Sequence, residues 1–574
     1  MLQTLWTVHG ETLRDHPDLQ PWNVYPRPQL KRETWLNLNG YWDFAVSDKN
    51  NLPLEYAKQI RVPFCPESNL SGVGVHFDEG AYLFYHRELV LPEDFNRGRV
   101  ILHIGAADQI ADIFVNGQEI CHHEGGYDCF SCDITDALQD VNQIVVRCQD
   151  DLNNVSFPYG KQVMKRGGMW YTPVSGIWQT VWLESVPEKY VKKLNIENRG
   201  TSVTIDTQDA SISGTVTVAG LGSFELNQGK VTICPENPHF WSPEDPYLYT
   251  FTLEAGEDKI ESYFAIRTLE IKNANGYPRL FLNGKPYFFH GLLDQGYWPD
   301  GLLTAPAPES YVEDIQSMKD LGFNTLRKHI KVEPEEFYYQ CDKLGMIVWQ
   351  DMVNNGDYNF KRDTGLPTIG IQSMPDKWLH KDQLGRSRFL MSMIKTVMQL
   401  RNHPSVCYWT IFNEGWGQFD SEYVYEEFKK LDDTRFIDST SGWFRRNKTD
   451  VDSRHQYFGK FKLKGDGKKP LVLSEFGGKA YGEEGHVFNP DKVYGYGSTC
   501  TSLQELDIAV SSLYWKELLP CVAKGVCASI YTQVSDVEDE INGLLTYDRK
   551  VSKLTQETML PIAEALQKAN RGEA

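Results

Sequence analysis

Two short apolar runs in this chain end in a glutamate: Trp409-Thr-Ile-Phe-Asn413-Glu414-Gly-Trp416 and Pro470-Leu-Val-Leu-Ser-Glu475-Phe-Gly-Gly. A buried strand that stops at a carboxylate beside glycine and aromatics delivers that carboxylate to a pocket at the end of a barrel. Two such groups suit the cleavage of an acetal. One carboxyl must stay protonated to protonate the leaving oxygen, while the other must stay ionised to attack the anomeric carbon or to activate water. Glu414 is assigned as acid/base and Glu475 as nucleophile. Asn413, directly before the acid, suits a hydrogen bond to the sugar 2-hydroxyl that strengthens in an oxocarbenium-like transition state. The plainer reading, in which Asn-Glu and Ser-Glu only end strands and cap helices, loses weight because both motifs occur in one suitable scaffold.

The elements that must hold these residues begin at about residue 269, where strands alternate with helices. Tyr311, Ile315, Met318 and Leu321 fall at helical spacing before Gly322, and Asn324–His329 then reads as a strand. The unit repeats with Phe337, Cys341 and Leu344, then Gly345, then the strand Met346–Asp351. Candidate strands at 287–290, 324–329, 346–351, 406–412, 436–440, 452–455, 471–474 and 528–532 complete the set that a (β/α)8 TIM barrel requires, over residues 269–574. Glu414 then follows the fourth strand and Glu475 the seventh. Upstream, residues 1–186 show short alternating runs between turns, with Asn116-Gly117 as a hairpin signal, and read as an all-β sandwich. Residues 187–268 fit a smaller immunoglobulin-like β-sandwich.

At 574 residues the chain is too long for a single core. It carries 58 basic and 78 acidic side chains, a net charge of -20, which argues against nucleic acid and anionic membranes as partners. The N-terminal stretch lacks a basic region followed by a sustained apolar one, and no run approaches a membrane span. Eleven cysteines, an odd number lying mostly in apolar runs, read as reduced thiols, and the expected location is cytoplasmic. Cys129-Phe-Ser-Cys132 is a lone C-x-x-C without the second pair that a metal site needs. No metal or cofactor is expected.

The chain resembles family 2 of the glycoside hydrolases, the β-galactosidase and β-glucuronidase family. The resemblance rests on Pro26-Arg-Pro28 through Trp35, Gly40-Tyr-Trp42-Asp-Phe44, Gly176-Ile-Trp178, and Arg401-Asn-His403-Pro404 leading to Asn413-Glu414. It implies a jelly-roll domain, an immunoglobulin-like domain, a catalytic barrel and a retaining, exo-acting β-glycosidase. It further implies Glu414 as acid/base, Glu475 as nucleophile, and Tyr457 as a hydrogen-bond donor to the nucleophile. Such enzymes often assemble as homo-oligomers, which is expected here too. Glucuronidases of the family carry Asn-x-Lys, which holds the sugar carboxylate, before a Gly-x-x-Thr-x-Asp-Arg-Lys stretch. That stretch is present here from Gly543 to Lys550, but Glu540-Ile541-Asn542 precedes it. In the first domain, where relatives often offer an acidic side chain to sugar hydroxyls, this chain has Gly168-Met-Trp170-Tyr171.

The sugar therefore stays open between a β-linked hexose and a hexuronic acid. Arg327-Lys328-His329-Ile-Lys331, at the end of the second strand, could bind a uronate carboxylate. Alternatively Arg327 pairs with a catalytic glutamate while Lys328 and Lys331 face solvent. The pocket reading is favoured for Arg327 and the solvent reading for Lys331, with Lys328 undecided. Further pocket candidates are Asp351, Trp443, His455 and Tyr531, the two aromatics as possible sugar walls. A carbohydrate-binding protein without catalysis is the alternative function, weakened by the survival of both glutamates.

Overall fold

The structure, a computed structural model, describes residues 2–573 apart from 79, 152, 153, 373 and 498, and the side chain of 368. The chain opens with two antiparallel sheets. One orders Trp35–Asn37, Val181–Val186, Arg99–Ile104 and Phe130–Asp133, and the other Lys58–Val62, Gly40–Ser47, Tyr82–Leu89, Asn142–Gln149, Ile110–Val115 and Gln118–Glu124. Period-two patterning turns Ile144, Val146 and Cys148 into a core shared with Val100, Leu102 and Ile104 of the other sheet. Asn116 and Gly117, at φ 51° and 80°, form the tight hairpin turn that their pairing predicts. A second, smaller sandwich packs Asn195–Arg199, Ser202–Asp206 and Lys230–Ile233 over Gly222–Leu226, Gly214–Val218, Tyr249–Ala255 and Asp258–Phe264. Its core includes Val203, Ile205, Val216, Leu253 and Ile260.

Eight parallel strands follow: β1 (Phe289–Asp294), β2 (Thr325–Lys328), β3 (Ile347–Asp351), β4 (Val406–Asn413), β5 (Phe436–Ser441), β6 (Asp452–Gln456), β7 (Leu471–Gly477) and β8 (Val526–Thr532). They hydrogen-bond in the order β5-β4-β3-β2-β1-β8-β7-β6. Where β5 and β6 meet, Ser441 and Ser453 face each other through hydroxyls 3.3 Å apart. The first strand lies later than the expected 287–290, since its ladder with β2 and β8 continues through Leu292 and Leu293. Helix α1 (Pro308–Asp320) links β1 to β2, and α2 (Glu335–Leu344) links β2 to β3. The latter ends at Gly345, whose φ of 75° is the left-handed cap that glycine adopts without strain. Phe289, Ile347, Trp349, Tyr408 and Phe436 share one buried cluster, with the Trp349 and Tyr408 rings stacked at 3.9 Å. The barrel is thus a packed core, and chemistry is confined to the strands' C-terminal ends.

The expectation of eleven reduced thiols is corrected. Cys121 and Cys132, on neighbouring strands of the first sandwich, form a disulfide with Cα atoms 6.3 Å apart, and nine cysteines are free. The cysteines therefore give no argument for a reducing compartment. Among the described residues no helix is long and apolar enough to cross a membrane.

Candidate active site

Both glutamates reach the barrel mouth by irregular backbone. Asn413 is the last residue of β4, and Glu414 then takes φ 55°, a left-handed conformation that a side chain adopts at a cost. Its N–H donates to the Ser441 carbonyl at 2.9 Å, tying the turn to the end of β5. Gly415 follows at φ 76°, where a Cβ would lie 2.0 Å from the Phe444 ring. On β6 and β7 the pairing shifts register at His455 and around Glu475. Such bulges re-aim side chains at a barrel rim. One ligand atom each from Glu414, His455 and Glu475 lies within 4.8 Å of the others.

The two carboxyls differ in environment. Glu475 is 5% exposed and accepts from Tyr457 Oη at 2.6 Å and Arg327 Nη1 at 3.1 Å. Glu414 is 21% exposed and accepts from His455 Nδ1 at 2.7 Å. Burial, then the charge of Glu475, pushes the Glu414 carboxyl above the ordinary carboxylate range, against the pull of His455 and Lys161. Burial also raises Glu475, but His455, Arg327, His329 and the Tyr457 hydroxyl outweigh it and hold that group down at about 2. Neighbouring carboxyls with pKa values pushed apart divide into one acid and one anion. The arrangement can donate a proton from one carboxyl while presenting the other as a nucleophile.

The basic run at β2 divides by strand alternation. Arg327 faces the barrel axis, fully buried, and donates to Asp351 at 3.0 Å, Glu475 at 3.1 Å and Asn413 Oδ1 at 2.9 Å. It matches the alternative in which it pairs with a catalytic glutamate. His329 also points inward, its Nδ1 2.8 Å from Asp351. Asp351 therefore sits behind the nucleophile, bridging Arg327 and His329, and the charge of Arg327 together with the His329 hydrogen bond overcomes burial to hold its pKa low.

Two expectations need correction, for Lys331 and Tyr531, and the open reading of Lys328 closes. Lys328 faces outward into the helical layer, bonding Asp294 at 2.7 Å and Glu333 at 2.8 Å, with its ammonium 4.3 Å from the Phe337 ring of α2. Lys331 is buried rather than solvated, held by Glu333, the Gly296 carbonyl and the Leu303 carbonyl. Tyr531 packs between Phe476 and Tyr514 in the shell, its hydroxyl accepting from the Lys479 N–H at 3.1 Å, so it is barrel packing and no sugar wall. For Lys328 and Tyr531 the strand neighbour takes the inward position, as Thr532 does beside Tyr531, with its hydroxyl 3.0 Å from Tyr457.

Other candidates gather at the mouth. Trp443 stands edge-on to His455 at 5.6 Å, and the far nitrogen of His455 meets Ser441 Oγ at 3.0 Å. Trp170 arrives from the first sandwich, its ring 5.0 Å from Trp416 and 4.8 Å from Tyr358. Tyr358, Ser441, Thr532, Lys161 and Tyr496, which stacks on Tyr457 at 4.0 Å, escaped the sequence reading. Trp416 stood inside the Asn-Glu motif and could have been found there. The others join the site through contacts that no local pattern records. In the altered clamp position, Glu540 is buried, accepting from Tyr171 Oη at 2.5 Å and from Asn542 at 3.0 Å. Among the described residues, Glu414, His455 and Glu475 are the one cluster with metal-ligand spacing, and Arg327 already supplies a cation there.

The profile described as "Glycosyl hydrolases family 2, TIM barrel domain" matches residues 271–556, and that described as "Glycosyl hydrolases family 2" matches 190–267. A beta-glucuronidase of Bacteroides fragilis is 25% identical over 358 residues, 58% of this chain and 49% of that protein. A beta-galactosidase of Thermoanaerobacter pseudethanolicus is 24% identical over 444 residues, 69% of this chain and 53% of that protein. The chain thus spans about half the length of these curated relatives. A GH2 beta-galacturonidase from Eisenbergiella tayi, solved with galacturonate, superposes with a TM-score of 0.67 at 19% identity, covering 96% of this chain and 99% of that one. At that identity the likeness concerns the fold.

Proposed function

The chain belongs to family 2 of the glycosyl hydrolases, and from that premise we propose a retaining, exo-acting β-glycosidase that removes a terminal β-linked hexose or hexuronic acid. The observation that carries the reading is the close pair Glu414 and Glu475, with atoms inside 4.8 Å and opposite protonation tendencies. Such closeness suits direct attack by one carboxylate, because inverting enzymes leave about 6.5 to 9.5 Å for a water.

In the first step Glu475 attacks the anomeric carbon while Glu414 passes its proton to the leaving oxygen. Arg327 and Tyr457 hold the nucleophile in place, and its low pKa keeps it ionised. Arg327 also engages Asn413 Oδ1, which leaves the amide hydrogens on Nδ2 for the sugar 2-hydroxyl. In the second step Glu414, now a base, takes a proton from the water that releases the sugar from Glu475. Trp170, Trp416 and Trp443 offer aromatic faces near the ring.

Glu475→Gln should reduce turnover of nitrophenyl β-galactoside, β-glucuronide and β-galacturonide by at least about 10⁴-fold. NMR of the wild-type reaction should reveal the β-anomer as first product. Undiminished activity in the variant, or an α-anomer first, would overturn the mechanism.

A further inference from the structure

The cations around the catalytic pair are almost all engaged. Arg327 is taken up by Asp351, Glu475 and Asn413, and Lys328 and Lys331 both close on Glu333 behind the strand. The loop that would carry an Asn-x-Lys clamp is locked internally, with Glu540 on Tyr171 and Asn542 on Glu540 and Gln533.

Lys161 differs from all of these. It comes from the first sandwich, in a loop pressed onto the barrel. The N–H groups of Tyr159 and Gly160 donate to the Asn354 carbonyl at 3.0 and 3.3 Å, and a Cβ on Gly160 would lie 2.8 Å from the Ile330 carbonyl oxygen. Gly160 has φ 62°, so the residue type and the close approach agree. The Lys161 carbonyl accepts from the Tyr171 N–H at 3.0 Å, which clips it to the Trp170 segment. Its ammonium stands 5.6 Å from the Trp170 ring, and that ring touches Trp416, two residues past Glu414. Its charge is felt at Glu414, His329 and Glu540. Among the described residues no carboxylate pairs with it, although it is half-buried.

We propose that Lys161 binds the carboxylate of a terminal β-linked hexuronide, and that this sugar class is the substrate. The inference rests on the glycosidase reading and narrows it. A cation partly withdrawn from water is costly when unpaired, and a neutral hexose would leave it so. A uronate carboxylate completes the pair, in a site where burial raises the Glu540 carboxyl, against the pull of its bond from Tyr171, and so weakens the competing charge.

The test compares wild type, Lys161→Gln, Lys161→Met and Lys161→Arg on nitrophenyl β-glucuronide, β-galacturonide, β-glucoside and β-galactoside, with Glu475→Gln alongside. Wild type should prefer one of the uronides. The Gln and Met variants should lose roughly 100-fold or more in kcat/KM on that uronide, mostly through KM, with a much smaller loss on hexosides. The Arg variant should recover part of the uronide activity. A wild type that prefers a neutral hexoside, or an equal loss on both classes, would overturn the role of Lys161. Loss of all activity in Glu475→Gln beside such a result would leave the glycosidase reading standing, so the two failures are separable.

Discussion

Arg327 and Lys328 are consecutive residues of β2, and they sit in opposite kinds of charge cluster. Lys328 and Lys331 enclose Glu333 so completely that its pKa falls despite burial, while Lys331 is pushed by burial down to about 8. Every charge there has its partner, and the cluster can do no more than hold α2 and the β1 loop against the strand. On the inward face the balance is uneven. Arg327 satisfies Asp351 and Glu475, and Glu414 is left with His455 and a neighbouring anion. Similar residues under similar burial thus give a structural lock on one face and a poised acid on the other, and the difference lies in which carboxylate is denied a permanent cation.

Variants can break that contrast in a graded way. Glu414→Gln should cost about 10² to 10⁴-fold in kcat/KM on substrates with poor leaving groups, and far less on nitrophenyl glycosides, where protonation matters little. An equal loss on both would deny Glu414 the acid role. Glu333→Gln leaves the buried Lys331 ammonium with carbonyl acceptors alone and Lys328 with Asp294 alone, and should destabilise the fold by about 3 to 5 kcal/mol, read by denaturant unfolding, with kcat of the folded fraction unchanged. A large drop in kcat at unchanged stability would merge the two clusters into one functional unit.

The smallest effect concerns pH. Glu475 must be ionised, so activity is lost as pH falls toward its pKa of about 2, and Glu414 must be protonated, so activity is lost as pH rises through its elevated pKa. Because His455 draws the Glu414 pKa down, His455→Ala should move the alkaline limb of the kcat/KM profile upward, by about one pH unit. A shift to lower pH would reverse the sign argued here.

Much of this architecture was legible because periodicity reports burial. The strand-helix units around Gly322 and Gly345, and the runs ending at Glu414 and Glu475, carry their signals within a few residues of each other. Tyr531 faces away from the expected pocket, and Lys328 stays open on sequence alone, because position at a strand's end does not say which way a side chain faces. Parity against Thr532 and Arg327 decides it, and the bulges on β6 and β7 alter the count. The Cys121–Cys132 bond had no local signal, since Gln118–Glu124 and Phe130–Asp133 lie at the edges of different sheets and only the stacking of those sheets brings the two sulfurs together.

By itself the sequence determined that a β/α barrel would carry two glutamates at its mouth, because a strand's apolar run and its terminal carboxylate are contiguous in the chain. The tertiary structure alone decided which groups push the two carboxyls apart in acidity, which lysines are locked away, and that Lys161 from the first sandwich stands beside Trp170 next to the barrel. Those outcomes depend on distances in space, between groups as near in sequence as Lys331 and Glu333 and as far as Lys161 and Glu414, and electrostatic energies are set by distance and burial, neither of which is written in residue order.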